Sequence, residues 1–208
     1  MNMRTVLIAS ALLLPATPRL SPAEDLESPR YQAIALAGVS VFRGGVPSSS
    51  VTTAIPFQPD TTARTIAAIL SFRAMGKVRV DAEAAVASGR SENGFDTPNN
   101  HFFSAGLSYP WLSLRDGRFT SLLVAGGGAT ERRAQDAFQS DVEKAFEVGR
   151  WSPFAYGGAA IEVRASETFG LRADYRYSRI FPDKLALGFV ERKSYGSHRV
   201  LGGIALSF

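Results

Sequence analysis

The chain has 208 residues, a formal net charge of +4 at pH 7, 45% hydrophobic residues and no cysteine. The length allows one domain with a short leader, and the lack of cysteine excludes disulfides and thiolate metal sites. Lysines and arginines are scattered singly rather than clustered, which argues against nucleic acid as a partner.

The first segment has the features of a secretory signal peptide, predicted to cover residues 1–23. Arg4 supplies the positive charge, and residues 6–14 form an apolar stretch too short to span a bilayer as a helix. Small residues at 21–23 suit cleavage. A short linker, 24–29, then leads to the predicted main domain, residues 30–208.

The main domain alternates between strand-like segments and turn-forming segments. Eight strands are predicted, and each is long enough to cross a hydrocarbon core, which takes about nine to eleven tilted residues. Their predicted bounds are 31–43, 62–75, 77–88, 101–112, 118–132, 154–166, 168–181 and 197–208.

The connections between these strands alternate between short and long. Short ones fall at 75–77, 113–117 and 166–168, and the long ones are 44–61, 89–100, 133–153 and 182–196. All long connections therefore emerge at one end, as in outer-membrane barrels with short periplasmic turns and long extracellular loops. The pattern predicts an all-β fold, an eight-stranded antiparallel up-and-down transmembrane β-barrel in the cell outer membrane.

Charged side chains recur on one face of several predicted strands, opposite an apolar face. A charge that faces lipid at mid-depth is costly, so these faces are expected to turn into the lumen. Because both signs are present, we expect a structural network of ion pairs that fills the lumen. The predicted members are Arg73, Lys77, Arg79, Asp81, Glu83, Glu131, Glu162, Arg164, Arg172, Asp174, Arg176 and Arg199.

A soluble lipocalin-like barrel is the alternative fold, with the apolar face inside and the charges in water. The placement of aromatic residues favours the membrane, since two aromatic levels near the strand ends resemble interfacial girdles. The level near the short turns comprises Phe72, Tyr109, Trp111, Phe119, Phe169 and Phe208, and the level near the long loops comprises Phe42, Phe103, Tyr175, Tyr177 and Phe181.

No motif in the sequence indicates catalytic activity, a cofactor or a metal site. The only histidines are His101 and His198, too few to argue a metal site. His101 and Ser104 are three apart and point to opposite faces of a strand, which does not suit a shared proton transfer. The third long loop has apolar residues at helical spacing over 134–148, which predicts a short amphipathic helix, either a partner surface or a lid on the barrel.

The last forty residues carry a resemblance. Residues 169–177, a polar loop and residues 199–208 look like the closing hairpin of the outer-membrane β-barrel domain family, which includes opacity-like proteins and the barrel of outer-membrane protein A. In that family the terminal aromatic residue, here Phe208, resembles the signal read by the barrel assembly machinery. The resemblance implies a Gram-negative cell envelope and loops that serve adhesion, envelope integrity or host interaction.

The sequence therefore predicts a monomeric, non-enzymatic, porin-like outer-membrane barrel with a closed lumen. Its four long loops are expected to form the functional surface. Its expected partners are outer-membrane lipids, lipopolysaccharide, the assembly machinery and an unidentified surface partner. Two other functions stay open: a narrow passive channel for small solutes, and an enzyme that modifies lipid A.

Overall fold

A computed structural model of the protein describes residues 29–43, 61–89, 99–114, 117–133, 151–181 and 194–208. The predicted signal peptide, and nearly all of the linker and of the long loops with the helix at 134–148, lie outside these residues. The described residues form eight strands: β1 (Tyr31–Arg43), β2 (Thr61–Met75), β3 (Val78–Gly89), β4 (Asn99–Leu114), β5 (Phe119–Arg133), β6 (Trp151–Arg164), β7 (Phe169–Ile180) and β8 (Tyr195–Ser207).

The strands form one closed barrel in which each strand pairs antiparallel with its sequence neighbours and β1 pairs with β8. Closure is complete at the short-turn end, where the backbone amide of Phe208 donates to the carbonyl of Tyr31 at 3.0 Å. A closed barrel satisfies every strand edge, which is the condition for a sheet to lie in lipid. The predicted fold class is confirmed.

Tight turns at the short-turn end depend on local backbone chemistry. Gly76 and Gly117 adopt φ angles of 55° and 79°, which place them in the left-handed region that only glycine enters readily. In the third turn the hydroxyl of Ser166 accepts a hydrogen bond from the amide of Phe169 at 3.0 Å. These turns reverse the chain within a few residues, so consecutive strands pair directly.

The two faces of the sheet differ in chemistry. Burial alternates along the strands, most regularly in β7, where Arg172, Asp174 and Arg176 point inward. The outward side chains along the middle of the strands are mainly apolar, and Ile66, Leu70 and Leu107 are 64%, 65% and 55% exposed. Hydrocarbon surrounding the barrel would cover this surface, whereas water would leave it as one extended apolar patch. The soluble alternative, which puts the apolar face inside, is therefore wrong.

The aromatic side chains predicted for the interfacial girdles lie on the outer surface, most of them near the strand ends, while Tyr175 is near the middle of β7. Phe42 is the exception, because it lies on the inward side of β1 and is only 8% exposed. Among the described residues, no helix has the length and apolar character needed to cross a bilayer.

Candidate functional site

The lumen is the place where the fold brings chemically active side chains together. From the short-turn end to the long-loop end it contains three groups of residues. We name them the lower cluster (Gln32, Arg79, Glu162 and Arg164), the central cluster (Glu83, Arg172, Asp174, Arg176 and Arg199) and the aromatic cluster (Phe42, Phe102, Phe154, Tyr156 and Tyr195).

The lower cluster is organised around the carboxylate of Glu162. Arg79 approaches one carboxylate oxygen at 3.2 Å, and Gln32 donates from its side-chain amide to the other at 2.7 Å. The amide oxygen of Gln32 in turn accepts from Arg79 at 2.8 Å. Three strands, β1, β3 and β6, are thereby linked across the interior. Arg164 stands at the edge, 3.8 Å from Glu162 and 19% exposed.

The central cluster joins β3 to the opposite wall of the barrel. Glu83 on β3 accepts from Arg199 at 2.7 Å on one oxygen and from Arg176 on the other. Asp174 accepts from Arg176 at 2.7 Å and from Arg172 at 2.9 Å. These side chains are nearly inaccessible, so their charges interact in a low local dielectric, where each bond is strong and each lost partner is costly.

The aromatic cluster lies above the central cluster and contacts it directly. The guanidinium of Arg199 lies 5.1 Å from the ring centroid of Phe102, and that of Arg176 lies 4.9 Å from the ring of Tyr156. Phe102 also stacks on Phe42 at 6.3 Å and meets Phe154 edge-on at 5.5 Å. Cation–π contacts thus couple the ionic and aromatic layers into one packed interior.

The buried positive and negative charges of the lumen are equal in number, and Arg164 adds one partly exposed cation. The fully buried cations are Arg79, Arg172, Arg176 and Arg199, and the fully buried anions that face inward are Asp81, Glu83, Glu162 and Asp174. Equal numbers of opposite charges leave these buried groups without a net charge, while each ion still has its own desolvation cost, which its ion pairs offset. The arrangement suits a rigid structural core better than a site that would attract an ion of one sign.

Three predicted members of the lumen network lie elsewhere. Arg73, near the end of β2, and Lys77, in the β2–β3 turn, are exposed at the short-turn end of the barrel. Glu131 is buried, but its register opposite His101 and Trp151 places it on the outward side of β5. The placement of Glu131 in the lumen was inferred from its charge alone, and strand alternation overrides it.

Several lumen residues carry no charge and were not predicted from the sequence. Gln32 bridges Arg79 and Glu162, and Phe102 and Tyr156 cover two arginines. The signal for Gln32 was weak, because its even-numbered face of β1 also carries Ile34 and Leu36, so both faces of that strand are largely apolar. Phe42 belongs to the same even-numbered face.

The two histidines and Ser104, which were weighed for catalysis, lie on different faces or different strands of the barrel. His101 and Ser104 lie on opposite faces of β4, and Ser104 donates to Glu83 in the lumen at 3.2 Å. His198 lies on the outer face of β8, where its Nδ1 is 3.0 Å from the hydroxyl of Tyr175. The described residues contain no group of three or more His, Asp or Glu side chains placed to hold a metal ion.

Comparison with solved structures shows which known proteins resemble this chain in fold. Neisserial surface protein A shares 13% sequence identity, with a TM-score of 0.59 and coverage of 86% of this chain and 97% of that one. Outer membrane protein AlkL shares 14% identity, with a TM-score of 0.48 and coverage of 94% of this chain and 97% of that one. Outer membrane protein OprG from Pseudomonas aeruginosa shares 12% identity, with a TM-score of 0.46 and coverage of 86% of this chain and 97% of that one. Neither a protein-family model nor a curated protein matches the sequence.

The resemblance predicted from the closing hairpin is thereby confirmed at the level of fold. Strand number, closure and antiparallel order agree with the first of these structures, and the apolar exterior around an ionic interior requires a lipid surrounding. The chain is an eight-stranded outer-membrane β-barrel with the fold of Neisserial surface protein A.

Proposed function

We propose that the protein is a non-conducting, non-enzymatic barrel that contributes to envelope integrity or surface interaction through its four long loops. The observation that carries this proposal is the central cluster, in which Glu83 on β3 is held by Arg176 and Arg199 from the far wall. Side chains that meet across the lumen support this proposal, because they stand in the way of a solute.

The size of the barrel supports a closed lumen. Eight strands enclose an interior that side chains alone can fill. Here two arginine–carboxylate layers and an aromatic layer follow one another along the axis. A solute would have to break the ion pairs of both ionic layers, and each broken pair leaves a buried charge without a partner.

The proposal is tested by planar-bilayer conductance of the full mature chain. We expect no reproducible single-channel steps for the wild type, while a water-filled porin incorporated in the same lipid gives steps in parallel recordings. Insertion is checked by heat-modifiable migration of the recovered protein, which reports a closed barrel. Reproducible steps from the folded wild type would instead favour a narrow channel for small solutes.

The absence of enzyme activity is a separate part of the proposal, supported by the lack of paired catalytic side chains among the described residues. Mass spectrometry of lipid A from cells that express the wild type or His101→Ala tests it. We expect identical lipid A in both strains and in cells without the protein. A modification that requires the wild-type protein would replace the structural role with lipid A chemistry.

Partners follow from the same proposal. Phe208 is the expected signal for the barrel assembly machinery, and its side chain is 74% exposed at the end of the chain. We expect Phe208→Ala to lower the amount of folded barrel in the outer membrane, measured as the heat-modifiable fraction. Unchanged assembly would remove Phe208 from this role without affecting the conductance test.

A further inference from the structure

A basic and aromatic patch lies on the outer surface of the barrel at the long-loop end. It spans three adjacent strands, β7, β8 and β1, which pair in that order around the closed barrel. We name it the rim patch and define it by Arg43, Tyr175, Tyr177, Arg179 and His198. All five are outward-facing residues, and the lumen network uses none of them.

Two arginines of the rim patch flank a glycine. Gly196 on β8 pairs with Arg179 on β7 and with Arg43 on β1. The ring of Tyr177 lies over Gly196, since a Cβ built there would be 2.9 Å from Cε2 and 3.0 Å from the hydroxyl of Tyr177. The phenol hydroxyl is thereby held on β8, between the strands that carry the two guanidinium groups.

His198 extends the patch toward the middle of the barrel. Its ring lies 4.9 Å from the ring of Tyr177, and its Nδ1 is 3.0 Å from the hydroxyl of Tyr175. When Tyr175 donates this hydrogen bond, the proton of the neutral imidazole is on Nε2, which can then donate to an acceptor outside the protein. The patch therefore combines cationic and neutral hydrogen-bond donors.

Among the described residues of this surface, the strands that carry Arg179 and His198 place no carboxylate on their outer face. The outward positions of β1, β7 and β8, as far as the structure describes them, carry no Asp or Glu. Arg179 donates to the hydroxyl of Ser194 at 2.5 Å, which uses one of the five donors of a guanidinium. Arg43 already interacts with another group, so we take Arg179 as the main cation of the patch.

The position of the patch matches the depth of a lipid headgroup. Arg43 is the last residue of β1 and Arg179 the next-to-last of β7, while apolar Val39 and Val200 lie closer to the middle of the barrel. An outward arginine costs little near the interface but about 2–4 kcal/mol at the bilayer midplane. The ring of Tyr177 at this level places its apolar body toward the acyl chains and its hydroxyl toward the headgroups, whereas Tyr175 pairs with Val200 and lies deeper.

We propose that the rim patch binds the phosphate group of an anionic glycolipid of the outer leaflet. Arg179 would pair with the phosphate oxygens, the hydroxyl of Tyr177 and Nε2 of His198 would donate to the same headgroup, and the tyrosine rings would pack on the acyl chains. Charge complementarity and depth select this occupant. The proposal rests on the location of the barrel in an outer membrane and does not depend on a closed lumen.

The test is native mass spectrometry of the folded mature chain in nanodiscs of zwitterionic phosphatidylcholine, titrated with bisphosphorylated lipid A. We expect the wild type to retain lipid A and Arg179→Gln to weaken its binding about 10-fold or more, the effect of losing charge-assisted hydrogen bonds. Arg118→Gln is the matched control, because it removes the same charge from an exposed position at the opposite end. Heat-modifiable migration verifies that each variant is folded.

Three further arms separate the possible ligands. Dephosphorylated lipid A should bind the wild type about 10-fold or more weakly, because only the phosphate is lost. Tyr177→Phe keeps the ring and should weaken binding by a smaller factor, which provides a second variant if Arg179→Gln does not fold. Inorganic phosphate in excess should not displace the bound lipid, since it lacks the acyl chains.

Several results would overturn the proposal. Equal affinities of Arg179→Gln and Arg118→Gln, or equal retention of both forms of lipid A, would show that the phosphate is not recognised here. Displacement by inorganic phosphate would assign the patch to a free anion. A dimer mass that disappears in Arg179→Gln would assign it to a second copy of the chain. None of these results bears on bilayer conductance.

Discussion

The hydroxyl of Tyr156 occupies the space next to Gly106 where a Cβ would have to lie. Tyr156 points inward from β6, and its ring reaches across β5 to contact β4 at this glycine. The same ring supports the guanidinium of Arg176 at 4.9 Å. Gly106 is therefore part of the packing that positions the central cluster.

Gly106→Ala should destabilise the barrel, because the added methyl group would displace Tyr156 and meet the backbone carbonyl of Ala125 at 2.6 Å. Overpacking of this kind costs about 1–3 kcal/mol. Gly157→Ala is the matched control, since a Cβ at Gly157 meets nothing within 4 Å. Urea unfolding in lipid vesicles, followed by tryptophan fluorescence, measures both. Equal stabilities of the two variants would contradict the close packing of Tyr156.

Phe102 and Phe103 are neighbours in sequence but face opposite environments. Phe102 is 1% exposed inside the barrel, whereas Phe103 is 45% exposed on the outer face. Phe102→Ala should cost about 3–5 kcal/mol in the free energy of unfolding, since it leaves a cavity beneath Phe42 and Phe154. Phe103→Ala should cost about 0.5–1.5 kcal/mol, the contribution of its aromatic pair with Trp151.

The same unfolding measurement compares these two variants. Lipid can fill the space left at Phe103 but cannot reach the space left at Phe102. A larger loss of stability for Phe103→Ala than for Phe102→Ala would mean that the inward and outward faces of β4 have been assigned the wrong way round.

Glu83 holds two arginines, so its charge should matter more than its shape. Glu83→Gln keeps the volume but leaves Arg176 and Arg199 without this carboxylate, and breaking a buried pair costs about 3–5 kcal/mol. Arg164→Gln removes a partly exposed charge 3.8 Å from Glu162 and should cost only about 0–1 kcal/mol. Vesicle unfolding at low and high salt should give the same loss for Glu83→Gln, because buried charges are weakly screened. A loss that vanishes in salt would mean that Glu83 is exposed to solvent.

Much of this architecture could be predicted from the sequence, because inward-facing and outward-facing residues alternate along each strand of the barrel. Alternation along β7 identified Arg172, Asp174 and Arg176 as sharing one face, and the alternating connection lengths indicated closure with eight strands. The two-residue alternation specifies which residues share a face of the strand. Because charged side chains are costly in lipid, the charged face then turns inward.

Two residues were assigned to the wrong face of their strands, because residue type was used in place of the alternation of side chains along the strand. Glu131 was placed inside because it is charged, although its odd number puts it on the face of Leu123. Phe42 was placed outside because it is aromatic, although it alternates with Ser40. Cross-lumen pairs such as Glu83 with Arg199 join residues 116 positions apart, and a single sequence contains no signal for that contact.

The orientation of the barrel wall can be tested at one outward residue. Leu107 lies near the middle of β4 and is 55% exposed on the outer face. Leu107→Arg should lower the free energy of unfolding in lipid vesicles by about 2–4 kcal/mol, because the guanidinium would enter the hydrocarbon core. Leu114→Arg, at the end of the same strand, should cost about 0–1 kcal/mol, since the side chain can reach the headgroups. In detergent micelles, where water reaches the barrel wall more easily, the difference between the two variants should shrink. Equal and small losses in lipid would show that Leu107 faces water, and the transmembrane assignment of the outer surface would then be wrong.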